Sequence, residues 1–72
     1  TNISNTMKEQ TLKYLTILLS EFERGQSYLE SDLSNDELNE SERLDINSDL
    51  IEVASKIEEI KKCISWVKKS NF

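Results

Sequence analysis

The chain has 72 residues, and its 14 acidic and nine basic side chains leave a formal net charge of −5. This balance disfavours a nucleic-acid-binding protein, which clusters Lys and Arg to replace the counterions of the phosphate backbone, and it disfavours binding to an anionic membrane surface. No apolar run approaches the ~20 residues of a membrane span. We expect a single small domain over residues 1–72, whose own core rarely supplies more than ~3–5 kcal/mol of stability.

The first ten residues, TNISNTMKEQ, lack the basic and apolar regions of a secretory signal peptide. The chain also has a single cysteine, which fits a reducing compartment where disulfides are rare. Both features favour a cytoplasmic location.

A first helix is predicted over about residues 6–32. The chain has no Pro and one Gly, and a sequence with so few turn residues favours long helices. The apolar face of this helix comprises Thr11, Leu15, Leu18, Phe22, Leu29 and Leu33, with Leu12 and Leu19 at its edge. Gly25 interrupts the stripe. It is interpreted as a close-packing site or as a weak point that costs ~1 kcal/mol relative to Ala, with a functional kink as the alternative.

The sequence then predicts a turn at about residues 33–35 and a second helix over about residues 36–69. The tetrapeptide SNDE matches a capping box, in which the Ser34 side chain accepts from the amide of Glu37 and the Glu37 side chain reaches back. The polar segment at residues 39–48 is the weak part of this helix, because its Asn, Ser and Asp side chains compete for backbone hydrogen bonds. A break in that segment is the alternative, and it gives three helices.

The second helix carries an unbroken heptad seam. Its apolar residues recur at alternating intervals of four and three, which marks the narrow packing face of a coiled-coil helix. They are Ile46, Leu50, Val53, Ile57, Ile60, Ile64 and Val67. Folding the two stripes against each other places Phe22 opposite Leu50, and Met7 or Thr11 opposite Ile64. The predicted fold is therefore an all-α, antiparallel two-helix hairpin.

Several apolar residues lie off both stripes and indicate a second apolar surface. They are Tyr14, Ile17, Tyr28, Leu44, Ile51 and Trp66. Single exposed apolar residues are normal, but six on so short a chain, three of them aromatic, are typical of a protein interface. Because Trp66 lies between the seam residues Ile64 and Val67, it cannot share their face. We predict that Trp66 is exposed in the isolated hairpin and buried only against another chain. That chain is either a different protein or a second copy, and the second copy gives the alternative function, a homodimeric four-helix structural or regulatory protein.

The middle of the chain is strongly acidic. Residues 30–52 carry nine Asp or Glu side chains against Arg43 alone. This segment is interpreted as a solvated tip of the hairpin. The alternative is a contact for a partner with a basic groove, whose association would depend on salt.

The sequence favours no enzyme activity, no cofactor and no metal site. It has no His, so the commonest general base at neutral pH is absent, and its lone cysteine cannot form a zinc cluster. The acidic segment lacks the ligand spacing and the central Gly of an EF-hand loop. Cys63 has no partner base, and we expect an inert thiol that is buried or partly buried.

The order of helical features resembles the small co-chaperones of type III secretion systems. The similarity lies in LTILLSEFERGQSYLE, residues 15–30, and in LIEVASKIEEIKKCISWV, residues 50–67, which ends in an aromatic and aliphatic run. The resemblance implies a cytoplasmic, non-enzymatic helical protein that pairs with a helical-repeat chaperone and helps to keep the needle subunit soluble. It also implies partner contacts by the first helix and the C-terminal end, including Tyr14, Ile17 and Trp66.

Overall fold

The computed structural model describes residues 3–70, with side chains from Thr6 onward. It contains two helices, α1 (Ile3–Leu33) and α2 (Glu40–Lys69), which pack against each other along a molecule of 56 × 14 × 11 Å. The N-terminal part of α1 lies beside the C-terminal end of α2, so the two helices are antiparallel. The predicted all-α helical hairpin is therefore confirmed.

The two predicted stripes form the contact between the helices. Three residues of the α2 seam, Ile57, Ile60 and Val67, are buried, with exposed fractions of 4–8%. The other four seam residues and all the predicted α1 stripe residues are partly buried. Thr11 is partly buried, as a residue opposite Ile64 should be, whereas Met7 is 56% exposed. Met7 is thus a surface residue and does not contribute to the seam.

The connection between the helices is longer than predicted, because α2 begins at Glu40 instead of near residue 36. Ser34 directly follows α1 and does not cap α2, since its amide and hydroxyl both donate to Ser31 O, at 3.2 and 2.6 Å. The capping box lies five residues later. Asn39 Oδ1 accepts from the Glu42 amide at 2.8 Å, and Glu42 Oε1 accepts from the Asn39 amide at 3.0 Å. The predicted box at SNDE is therefore wrong.

Helix α2 runs without interruption over Glu40–Lys69, so the alternative of three helices is also wrong. The polar segment at residues 39–48 supplies the cap and the first turns of α2. Asn, Ser and Asp are favourable in that role, because they satisfy backbone groups that a helix end leaves free. Acidic residues in the first turn and the lysines of the last turn also complement the helix dipole.

Arg43 of α2 connects the two helices at the closed end of the hairpin. Its Nη1 donates to Leu33 O at 3.2 Å, and its Nη2 donates to Asn35 O at 3.1 Å. Helix α1 has no basic residue in its own last turn, so Arg43 provides the positive charge that its C-terminal carbonyls favour.

Lys8 of α1 makes the corresponding connection at the open end. Its ammonium group donates to Lys68 O at 3.0 Å and to Ser70 O at 2.8 Å. The C-terminal end of each helix is therefore bound by a cation of the other helix. These two contacts also fix the register, since they place Lys8 level with residues 68–70 and Leu33 level with Arg43.

Gly25 lies inside the continuous helix α1, with no positive φ angle. A Cβ atom added there would have no atom within 4 Å. The interpretation of Gly25 as a close-packing site is therefore wrong. The missing side chain instead leaves space on the surface of the hairpin.

Candidate protein-binding surface

All six off-stripe residues are exposed. Their exposed fractions run from 53% for Ile17 to 73% for Ile51, and that of Trp66 is 67%. The predicted exposure of Trp66 in the isolated hairpin is thus confirmed. Their role as interface residues stays a prediction.

The six residues do not form one surface, because helical periodicity divides them between opposite faces of the hairpin. Successive residues of a helix are rotated by about 100°, so residues seven apart lie almost in line. On α1, Met7, Tyr14, Glu21 and Tyr28 form such a line. We call the surface that contains this line the front face.

The front face includes Trp66 of α2. In the heptad of α2, Trp66 lies on the same side of the seam as Cys63, which is exposed. That side of an antiparallel hairpin adjoins the line of α1 residues from Met7 to Tyr28. Ile17 lies at the outer edge of the front face. The expectation of a buried or partly buried Cys63 is wrong, since the heptad places it beside the seam and not in it.

Leu44 and Ile51 lie on the opposite side of the seam, which we call the back face. They are seven residues apart, and Ile51 lines a surface groove together with Gln26, Glu30 and Ala54. The structure therefore brings together four of the predicted residues and separates two. Sequence reasoning missed Met7, although its spacing of seven from Tyr14 was a signal for it.

A shallow groove lies in the middle of the front face. It has a volume of about 330 Å³ and is lined by Leu18, Glu21, Phe22, Gly25 and Val53. Its floor is formed by partly buried seam residues, and the absence of a side chain at Gly25 opens it. A second groove of about 310 Å³ lies nearer the open end, between Met7, Gln10, Thr11 and Tyr14.

Charge is divided unequally along the hairpin. The half nearer the closed end, residues 21–52, has eleven Asp or Glu side chains and two Arg, a net charge of −9. Residues 6–20 and 53–70, which lie toward the open end, have seven Lys and three Glu, a net charge of +4. Within residues 6–70 the one ion pair in salt-bridge geometry is Lys61–Glu58 at 3.9 Å, in the open-end half. The carboxylates of the closed-end half therefore have no ion-pair partner in the described part of the chain.

Residues 3–70 contain neither a membrane-spanning helix nor a cluster of metal-ligating side chains. No helix there has a stretch long and apolar enough to cross a membrane. Nor does that part of the chain bring together three or more His, Cys, Asp or Glu side chains in an arrangement suited to a metal ion.

Comparisons with known proteins identify no relative: no family model matches the chain, and no curated protein or solved structure is significantly similar to it. The front face is therefore interpreted from its own geometry.

Proposed function

We propose that the chain is a non-enzymatic protein-binding module whose front face covers an apolar helical surface of another protein. The observation that carries this proposal is the line of exposed side chains beside an apolar groove. Met7, Tyr14, Tyr28 and Trp66 are each 56–67% exposed. Three of the four are aromatic, and aromatic side chains are enriched in protein interfaces because they bury a large area with few rotatable bonds.

The surface area of the hairpin supports the same proposal. A compact monomer of 8.4 kDa exposes about 4600 Å² by the usual scaling of area with mass. This chain exposes 5676 Å². The excess of roughly 1000 Å² follows from the elongated shape of the hairpin, 56 × 14 × 11 Å, in which the described residues include only three buried ones and the rest of the apolar surface is available to a partner.

Within this class, the co-chaperones of type III secretion provide the more specific proposal. In that role the chain pairs with a helical-repeat chaperone in the cytoplasm, and the pair keeps the needle subunit soluble. The support is the resemblance of residues 15–30 and 50–67 to those proteins, together with the exposure of Tyr14, Ile17 and Trp66.

Affinity capture of the tagged chain from the cells that produce it, followed by mass spectrometry, tests this proposal. The expected result is recovery of a helical-repeat chaperone and of a small secreted helical subunit. Recovery of no secretion-system component contradicts the co-chaperone role.

Paired variants test whether the front face makes the contact. Tyr14→Ala and Trp66→Ala are expected to weaken partner binding about tenfold or more each, as at interface hot spots. Ile51→Ala is the matched control, since Ile51 is 73% exposed on the back face. Equal losses for Ile51→Ala and Trp66→Ala contradict a front-face contact.

A further inference from the structure

The back face has an apolar groove that the proposed front-face contact does not use. Leu44 and Ile51, seven residues apart on α2, are 63% and 73% exposed there. From Leu44 to Ala54 this surface extends about 15 Å along α2, at 1.5 Å per residue. The groove has a volume of about 650 Å³ and is lined by both helices, with Gln26 and Glu30 from α1 and Asn47, Leu50, Ile51 and Ala54 from α2.

The rim of this groove is acidic. Glu30 lines the groove, and Glu23 lies in line with it because the two residues are seven apart on α1. On α2, Glu40 lies in line with Asn47, which also borders the groove. All three carboxylate side chains are exposed. The back face therefore combines exposed apolar residues with carboxylates on both helices.

The cations nearest to the groove are engaged or directed elsewhere. Arg24 lies in line with Ile17, at the outer edge of the front face. Arg43 donates to two carbonyl groups at the closed end of the hairpin. Toward the open end, the next cation of the back face is Lys61, which pairs with Glu58 at 3.9 Å. The described part of the chain thus supplies no ion-pair partner to the carboxylates of the rim.

An apolar floor with an acidic rim is complementary to an amphipathic helix that carries Lys or Arg beside its apolar stripe. A helix suits the groove, because the surface between two packed helices accepts a third helix at the usual spacing of about 8–10 Å. A second copy of this chain is disfavoured. Two copies that meet at this groove bring the same carboxylates together, and like charges at a contact repel.

The core of the hairpin is incomplete at the level of this groove. The three buried residues of the described chain all lie toward the open end; they are Ile57, Ile60 and Val67. Leu50 belongs to the same seam but lines the groove and is only partly buried. A third helix over Leu50 and Ile51 therefore adds apolar contacts where the two helices alone leave them unmade.

We infer that the back-face groove is a docking site for a basic amphipathic helix of another protein. The apolar side chains of that helix contact Leu44, Leu50 and Ile51, and its Lys or Arg side chains pair with Glu23 and Glu30. This site goes beyond the proposed function, which uses the opposite face of the hairpin. One chain therefore binds two partners at once.

A synthetic peptide tests the chemistry of the occupant. The probe is a fluorescently labelled helix of about 18 residues, with Leu at the a and d positions of the heptad, Lys at e and g, and Ala elsewhere. Titration with the full chain is expected to show saturable binding by fluorescence anisotropy, and raising the salt concentration should weaken it. The control is the same peptide with Glu in place of Lys, which is expected not to bind. Equal binding of the two peptides overturns the inference, as does no saturable binding of the Lys peptide up to about 1 mM.

Substitutions of exposed residues test whether the groove makes the contact. Ile51→Ala is expected to raise the dissociation constant of the Lys peptide about tenfold. Glu30→Gln is expected to raise it about threefold, as for an exposed ion pair. Glu52→Gln is the matched control, because Glu52 is also exposed in the acidic half but lies in line with Trp66 on the front face. Equal losses for Glu30→Gln and Glu52→Gln indicate general attraction to the acidic half and overturn the inference.

Side-chain N–H groups report the position of the bound peptide. Gln26 and Asn47 carry side-chain amides that line the groove, and Trp66 carries an indole N–H on the front face. Two-dimensional nuclear magnetic resonance of the ¹⁵N-labelled full chain is expected to show shifts of the Gln26 and Asn47 side-chain signals on addition of the Lys peptide. The Trp66 indole signal should stay in place. A shift of the indole signal alone places the peptide on the front face and overturns the inference.

Trp66→Ala separates this site from the proposed function. The substitution is expected to weaken the front-face partner and to leave the dissociation constant of the Lys peptide unchanged. Loss of peptide binding in Trp66→Ala overturns the back-face site and leaves the front-face proposal standing. Unchanged peptide binding supports the back-face site, whatever protein the front face binds.

Discussion

Arg43 is the single cation among residues 30–52, and its guanidinium group contacts the end of the other helix. It donates to two carbonyl groups, those of Leu33 and Asn35. Two donors held in a rigid fork can satisfy both acceptors at once, whereas a lysine ammonium group is a point charge on a flexible stem. The carbonyls at the end of α1 also favour a cation through the helix dipole. Arg43 therefore joins the two helices at the closed end.

We predict that Arg43→Met lowers the free energy of unfolding by about 1 kcal/mol, because it removes two hydrogen bonds to a charged donor in a partly exposed position. Arg43→Lys is expected to recover less than half of that loss. Urea denaturation followed by circular dichroism measures both values. The control is Arg24→Met, an exposed arginine of α1, and an equal loss there contradicts the role of Arg43.

At the scale of the element, the start of α2 depends on one of two similar sequences. SNDE and NESE both place a capping residue three positions before a Glu. The structure uses the second, with reciprocal hydrogen bonds between Asn39 and Glu42. Residues 34–39 form the connection instead, where Asn35 Oδ1 accepts from the Glu37 amide at 3.0 Å.

We predict that Asn39→Ala lowers the free energy of unfolding by about 1 kcal/mol, the usual cost of losing an N-cap. Ser34→Ala is the matched control. It removes a hydroxyl that donates to Ser31 O at an exposed position, and its expected effect is at most about half as large. Thermal unfolding of the two variants gives the comparison, and a larger loss for Ser34→Ala contradicts the assignment of the cap.

The fold itself was predictable because one repeated pattern determines it. The seam of α2 recurs at intervals of four and three, and the α1 stripe faces it, so the hairpin and its approximate register follow from periodicity. The helix boundary was not predictable, because both capping boxes satisfy the same local rule. The box that is used is accompanied by a contact outside the local rule, in which Arg43, in the first turn of α2, donates to Leu33 O, ten residues away along the chain.

The candidate surface was predictable in part for the same reason. A residue between two seam positions, such as Trp66, must lie outside the core, and its exposure of 67% follows. Whether exposed residues share a face depends on the packing of both helices, which separates Ile51 from Tyr14. The open space beside Gly25 also depends on how the two helices pack, because the sequence alone does not show which atoms lie near that position.

For the whole molecule, the distribution of burial and charge differs between the two ends. All three buried residues of the described chain, Ile57, Ile60 and Val67, lie in the open-end half. The closed-end half has a net charge of −9, and like charges at such density repel and destabilise a compact state. Its apolar contacts are partly exposed, and the front groove lies at its inner limit. The end where the helices are covalently connected is therefore the less stable one.

We predict that amide hydrogen exchange of the dilute chain is slowest in residues 56–66 and clearly faster in residues 41–48. Protection follows local burial, so amides beside well-buried side chains open least often. Mass spectrometry of peptic fragments after deuterium labelling measures the difference, and raising the salt concentration should reduce it by screening the acidic half. The control is a fragment from the middle of α1, where partly buried residues predict intermediate protection. Slowest exchange next to the connection, in residues 41–48, contradicts this assignment of stability.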